Sequence, residues 1–309
     1  MAEHSEIEWT DATWNPITGC SVVSPGCTNC YAMKLAGTRM KHHWSRIGLT
    51  RDSKAGPVWT GELRFNAEWL DQPLRWKKPR MIFVVAHGDL FHEAVPDEWI
   101  DRVFAVMSLA PQHTYQVLTK RPERMLASLP TQWPLSNVWL GTSVEDQARA
   151  DQRRAPLAAV ARAGWTTFVS YEPALGPVDW AGWEFLNWLI SGGESGASAR
   201  ATQRDWHRAA RDFCARAAVP YFFKQWGEYS PTSDANGMYM ARFGRKVSGR
   251  LLDGVEHSGM PVNTSNKGLD PTSRVLLKSS KLKNRKQQHL SEQLSGNPEA
   301  GKAVKGPAS

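Results

Sequence analysis

Cysteine is scarce in this chain, at four of 309 residues, and three of the four (Cys20, Cys27 and Cys30) fall within eleven positions while Cys214 stands alone. That placement excludes a disulfide framework and predicts a protein of the reducing cytoplasm. Long apolar runs are also lacking. No stretch approaches the roughly 18 residues of a spanning helix, and residues 1–14 have neither the basic nor the apolar region of an export signal. These absences predict a soluble, unexported protein with no membrane partner. Apolar residues make up 41% of the chain, a modest share, but 15 tryptophans and 19 prolines exceed ordinary usage, so aromatic packing is expected to carry much of the core.

Acidic residues are nearly missing from the end of the chain. Residues 274–309 hold 8 Lys or Arg against 2 Glu, which is +6 of the total +8, so the remainder is only +2. A run such as Lys278, Lys281, Lys283, Arg285 and Lys286 can hold phosphates by counterion release, and the same composition suits a solvated, disordered end. The expected organisation is one domain over residues 1–262, the size of a barrel-type α/β domain of about 250 residues, followed by a disordered basic tail over 263–309.

Within the domain, short apolar runs rich in β-branched and aromatic residues recur at 81–86, 114–118, 137–140, 166–170, 186–190 and 219–223, after a first short run near Trp14. They read as buried parallel strands. Residues 96–109, 147–163 and 202–218 have helical spacing, and Pro96 with the acids after it marks a helix start. A short amphipathic helix is expected over 66–79 and a hairpin over 239–253, turning at Gly244-Arg245-Lys246. Residues 41–61 show no clear period; His42 and His43 there suit surface positions.

The alternation is βαβα, which admits an open doubly wound sheet or a full or partial (β/α) TIM-type barrel. Polar clusters follow nearly every proposed strand: His87 and Asp89; Thr119, Lys120 and Arg121; Thr142, Ser143 and Glu145; Tyr171 and Glu172; Ser191 and Glu194; Lys224 and Gln225. An open sheet needs such groups only at its switch point, whereas a barrel aims every strand end at one mouth. The barrel is the expected fold.

Three neighbouring thiols suit a metal centre with a free coordination position, because structural zinc and all-cysteine iron-sulfur sites both close with four ligands. Zinc would draw a fourth ligand from His42, His43 or Cys214. Two readings without radical chemistry therefore stand: a zinc-stabilised nucleic-acid-binding protein, and a metal-dependent hydrolase using Asp89, Glu145, Glu172 and Glu194 with the cysteines merely structural.

The segment Asn15-Pro16-Ile17-Thr18-Gly19-Cys20, closed by Cys27-Thr28-Asn29-Cys30-Tyr31-Ala32, resembles the cluster-binding loop of radical S-adenosylmethionine enzymes, particularly the spore photoproduct lyase-like branch. The wider chain over residues 5–261 is similar to a phage and prophage family with a three-cysteine motif. Asp89-Leu90-Phe91-His92-Glu93, Gln116-Val117-Leu118-Thr119-Lys120-Arg121-Pro122, Gly192-Gly193-Glu194-Ser195 and Gly249-Arg250-Leu251-Leu252-Asp253-Gly254 carry that likeness. Six residues separate Cys20 from Cys27 where the radical enzymes have three, and loop insertions of this size cost little entropy.

The resemblance implies that Cys20, Cys27 and Cys30 hold three irons of a 4Fe-4S cluster while S-adenosylmethionine binds the fourth. Reduction would then yield a radical that takes a hydrogen atom from a nucleotide, modified base or nucleic acid. It also implies a reductant such as flavodoxin or ferredoxin and leaves room for a partner protein. Cofactor-binding positions carried over are Asp89, for the methionine amino group; Lys120, with Arg121 beside it, for a carboxylate or phosphate; Thr142, Ser143 and Glu145, for ribose hydroxyls; Glu172; and Gly192, Gly193 and Glu194, as a close backbone approach with a carboxylate beside it.

Overall fold

The computed structural model describes residues 5–129, 133–235 and 237–261. Its centre is one sheet of seven parallel strands: β1 (Ala12–Trp14), β2 (Met81–Val84), β3 (Thr114–Thr119), β4 (Val138–Ser143), β5 (Thr166–Tyr171), β6 (Trp188–Gly192) and β7 (Tyr221–Gln225). They lie side by side in chain order, with β1 and β7 at the edges. Because the order never reverses, every crossover has the same hand and the helices gather on one face. The sheet curls around its other face into a half-barrel.

The two faces hold separate cores. Phe83, Trp139, Phe168, Trp188, Ile190 and Phe222 point inward and, with Trp9, fill the concave side. Their alternates Ile82, Val84, Leu140, Val169, Leu189 and Phe223 point outward to the helices, as the two-residue period of a strand requires.

Five helices longer than a single turn lie among the described residues. They are α1 (Tyr31–Gly37), α2 (Asp97–Leu109), α3 (Pro122–Ser128), α4 (Gln147–Arg162) and α5 (Arg204–Ala217). α2 starts with Asp97 and Glu98 against its dipole and buries Ile100, Val103, Phe104, Val106 and Met107. α4 is capped by Asp146, whose Oδ1 accepts the Arg149 backbone N–H at 3.0 Å. α1 does not join the outer layer: its Ala32, Met33 and Ala36 form a small third core with Leu49 and Trp59. Those two belong to the region without sequence period, which contains a short ladder of Thr50–Arg51 against Val58–Trp59.

Two expectations differ. The helix expected over 66–79 is a 3-10 turn, Ala67–Trp69, and one α-turn, Gln72–Arg75, where Pro73 removes a donor. The hairpin lies earlier, pairing Tyr229–Asp234 with Gly237–Arg242, while Gly244 precedes a single helical turn at Arg245–Ser248. A ribbon so largely in contact with solvent shows no alternation that a sequence reading can find. The expected basic tail lies outside the described residues.

α5 carries the one histidine of the outer core with both ring nitrogens engaged: His207 Nδ1 lies 3.0 Å from Ser191 Oγ and Nε2 2.8 Å from Thr202 Oγ1. Complete burial lowers its pKa to about 3. The unfolded chain takes up this proton below about pH 6.5 and the folded chain does not. Stability is therefore expected to fall as pH drops from 6.5 towards 3, by up to about 1.4 kcal/mol per pH unit from this group. Urea unfolding across that range should show a flatter pH dependence in His207→Asn than in the wild type.

Candidate metal centre

The segment leading from β1 to α1 crosses the carboxyl ends of the strands, where loops of a parallel barrel converge. Gly19 donates its N–H to the His87 carbonyl at 3.2 Å, which sets Cys20 beside the end of β2. Cys27 closes a 3-10 turn, Pro25–Cys27, and Cys30 stands at the N-cap of α1. All three cysteines line one cavity of about 450 Å³, whose opposite wall comes from the ends of β3 to β7.

Among the described residues no three His, Cys, Asp or Glu side chains close on one point as a single ion requires. Tetrahedral zinc, with Zn–S near 2.3 Å, would draw its thiolates to within about 4 Å of one another. The three cysteines here share a wall of one cavity without that arrangement. The zinc ligands considered from sequence do not join them: Cys214 is buried in the outer core, His42 is exposed, and His43 Nδ1 is bonded to Ser45 Oγ at 2.7 Å. Burial, and after it the Asp89 carboxylate, pushes the Cys20 thiol up to about 12, against the opposing pull of Arg121. A coordinating cation reverses that preference.

The loop is gripped from the ends of β2, β3, β4 and β6, each time through a paired carboxylate and arginine. Beyond β2 and β3, Asp89 and Arg121 pair at 2.9 Å, and Arg121 Nη2 donates to Ser21 Oγ at 2.7 Å. His92 Nε2 approaches the same hydroxyl at 2.9 Å. Beyond β4, Glu145 is wholly buried; its Oε1 accepts the Ser24 hydroxyl at 2.6 Å and its Oε2 the Arg153 Nη1 at 2.8 Å. Beyond β6, Glu194 accepts Asn29 Nδ2 at 3.0 Å and Arg200 Nη2 at 2.6 Å, while Arg200 Nη2 also donates to the Pro25 carbonyl at 3.0 Å. Burial alone would raise the Glu194 pKa, but the bonds from Arg200 and Asn29 outweigh it and hold the carboxyl below its usual range. Gly26 is required by this closeness: a Cβ there would lie 2.4 Å from Glu145 Oε1.

The expected cofactor-binding positions therefore divide. Asp89 lines the cavity, but its oxygens already accept from the Phe91 and Lys120 N–H groups, the Thr119 hydroxyl and Arg121. Glu145 and Glu194 hold the loop. Thr142 lies outside the cavity lining and donates to the Thr119 carbonyl at 3.0 Å. Gly193 makes its close approach to the chain itself, since a Cβ would sit 1.9 Å from the Trp226 carbonyl oxygen; at Gly192 it would lie 2.8 Å from Glu172 Oε1.

Lys120, Ser143 and Glu172 do line the cavity: Lys120 Nζ donates to Ser143 Oγ at 3.1 Å, and Glu172 pairs with Lys224 at 2.9 Å. Arg121, expected beside Lys120 to meet a carboxylate or phosphate, completes the grip together with Arg153 and Arg200, which were not among the expected site residues. Arg153 had a signal, because it shares the buried stripe of α4 with Ala150, Leu157 and Val160.

A model of a family described as "Protein of unknown function (DUF5131)" matches residues 4–261. No curated protein matches the chain. Among solved structures it is similar to a cysteine-to-serine mutant of spore photoproduct lyase, at 14% identity over 78% of this chain and 71% of that one, with a TM-score of 0.39. It is also similar to a double mutant of that lyase with bound AdoMet and dinucleoside spore photoproduct, at 11% identity over 75% and 68%, with a TM-score of 0.37. The lyase complexed with the dinucleoside spore photoproduct matches at 12% identity over 74% and 67%, with a TM-score of 0.36.

Glu145→Ala is expected to strand the buried Arg153 charge and cost about 3–5 kcal/mol. Arg149→Ala breaks only the partly exposed pair with Asp146, and should cost less than about 1 kcal/mol. Urea denaturation of the two variants beside the wild type checks the contrast.

Proposed function

The chain belongs to the DUF5131 family, and we propose that it is a radical S-adenosylmethionine-type iron-sulfur enzyme acting on a nucleotide, modified base or nucleic acid. The observation that carries this reading is the placement of Cys20, Cys27 and Cys30 on one loop facing one cavity at the strand ends. The donor set suits a cluster with one iron left for a small molecule. When bound, the cluster and S-adenosylmethionine supply one-electron cleavage of a sulfonium and abstraction of a hydrogen atom from the substrate.

The chain's own residues hold, orient and seclude. The three thiolates would take three irons, and the loop that bears them is already held by Arg121, Glu145, Glu194 and Arg200. Lys120, Lys224 and Arg245 bring positive charge to the cavity lining, which suits a carboxylate or phosphate on either ligand. Ser143 and Glu172 offer partners for hydroxyl groups. Phe83, Leu118 and Trp9 give the cavity apolar walls, which limit the water that could quench a reactive intermediate. The nucleic-acid part rests on the sequence resemblance, on these cations and on the basic composition of residues 274–309. Electrons would come from a small reductant protein such as flavodoxin or ferredoxin.

The hydrolase reading is weaker because its carboxylates are committed to bases: Asp89 to Arg121, Glu145 to Arg153, Glu172 to Lys224 and Glu194 to Arg200. A divalent ion would have to displace each cation first.

Anaerobic reconstitution with iron and sulfide should give a brown protein with about four irons per chain. Under reduction with S-adenosylmethionine it should release 5′-deoxyadenosine, and Cys27→Ala should lose both properties. One zinc per chain without iron uptake, or magnesium-dependent turnover that survives loss of the cysteines, would overturn the reading.

A further inference from the structure

Cys20 faces a charged pair that is locked in place. Arg121 is 5% exposed. Its Nε donates to Glu93 Oε1 at 2.7 Å, its Nη2 to Ser21 Oγ at 2.7 Å and its Nη1 to Asp89 Oδ2 at 2.9 Å, and the same Nη1 reaches Cys20 Sγ at 3.9 Å. Asp89 cannot turn away, because Thr119 Oγ1 and the Phe91 and Lys120 N–H groups also hold it. A cation and an anion thus stand beside one sulfur in fixed orientation. Glu93, the second acid on Arg121, is largely exposed, with 63% of its side-chain surface accessible, so water screens it. By contrast, the partner at Cys27 is the neutral Ser24 hydroxyl, 3.7 Å away.

We propose that Arg121 and Asp89 are positioning residues that set the reduction potential of the cluster in opposite senses, acting through the sulfur of Cys20; this rests on the function proposed above. Reduction adds one electron to the cluster, with no bond or proton changing place in that step, and the electron comes from an external low-potential donor. Positive charge and a hydrogen bond at a cysteine sulfur stabilise the reduced form and raise the potential. Negative charge beside the same sulfur lowers it. Both groups are buried, so their influence is screened far less than that of a surface charge. Arg121 thereby offsets the carboxylate that anchors it, and the difference between the two sets the potential the electron donor must reach.

The test is an EPR-monitored redox titration of the reconstituted full-length protein with dithionite, together with iron content. Arg121→Met should lower the midpoint potential and Asp89→Asn should raise it. The double variant should lie between them, and Arg121→Lys, which keeps the charge, should stay closer to the wild type than Arg121→Met. Should Arg121→Met not fold, Asp89→Asn and the charge-balanced double variant still give the sign and the cancellation. Shifts of the same sign in the two single variants, or potentials that do not move while iron content stays at the wild-type level, would overturn the inference and leave the proposed function standing. A wild type that takes up no cluster would overturn both.

Discussion

The buried contact between Arg121 and Asp89 is the interaction through which the barrel and the cysteine loop become one structure. Taking both charges out of water costs several kcal/mol per ion unless geometry and further hydrogen bonds offset it. Here Asp89 accepts from a hydroxyl, two backbone N–H groups and a guanidinium, and Arg121 spends its remaining donors on Glu93 and the loop. The pair holds the loop without needing regular secondary structure in it. Ser21 receives one of those donors, and Cys20 is placed with it because it is the residue directly before it.

The same device recurs at two other strand ends, with Glu145 and Arg153 holding Ser24, and Glu194 and Arg200 holding Asn29 and Pro25. An irregular loop laid over a barrel mouth would leave its polar groups short of partners. Side chains from the strand ends supply them. The grip comes from β2, β3, β4 and β6, while Lys120, Ser143, Glu172 and Lys224, at the ends of β3, β4, β5 and β7, face the cavity without joining it. That grip keeps the cysteine loop in place through the chain's own side chains, so under the proposed function a cluster would load onto a prebuilt site.

Much of the half-barrel was legible in the chain. Apolar runs such as those at 81–86 and 166–170 became strands because a sheet buried on both faces needs side chains of that kind at every position. Several strands ran one to three residues further than their apolar runs, into Thr119, Ser143, Tyr171 and Gln225, because backbone pairing continues where side chains have already turned polar, whereas β2 stopped at Val84, two residues short of its run. The ribbon of Tyr229–Asp234 and Gly237–Arg242 was misplaced, since hydrogen bonding holds it with little burial to mark it.

The sequence by itself determined that three thiols would lie close together, that parallel strands would alternate with helices, and that polar groups would gather at the strand ends. Each of these is local, written in spacing over a few residues. Only the tertiary structure decided which polar group meets which. Asp89 meets Arg121 across 32 positions, Asn29 meets Glu194 across 165, and Arg200 meets Pro25 across 175. Contacts over such distances depend on how the whole sheet curls, so no reading of local residue types could have shown that the carboxylates expected to hold a cofactor would first hold the cysteine loop.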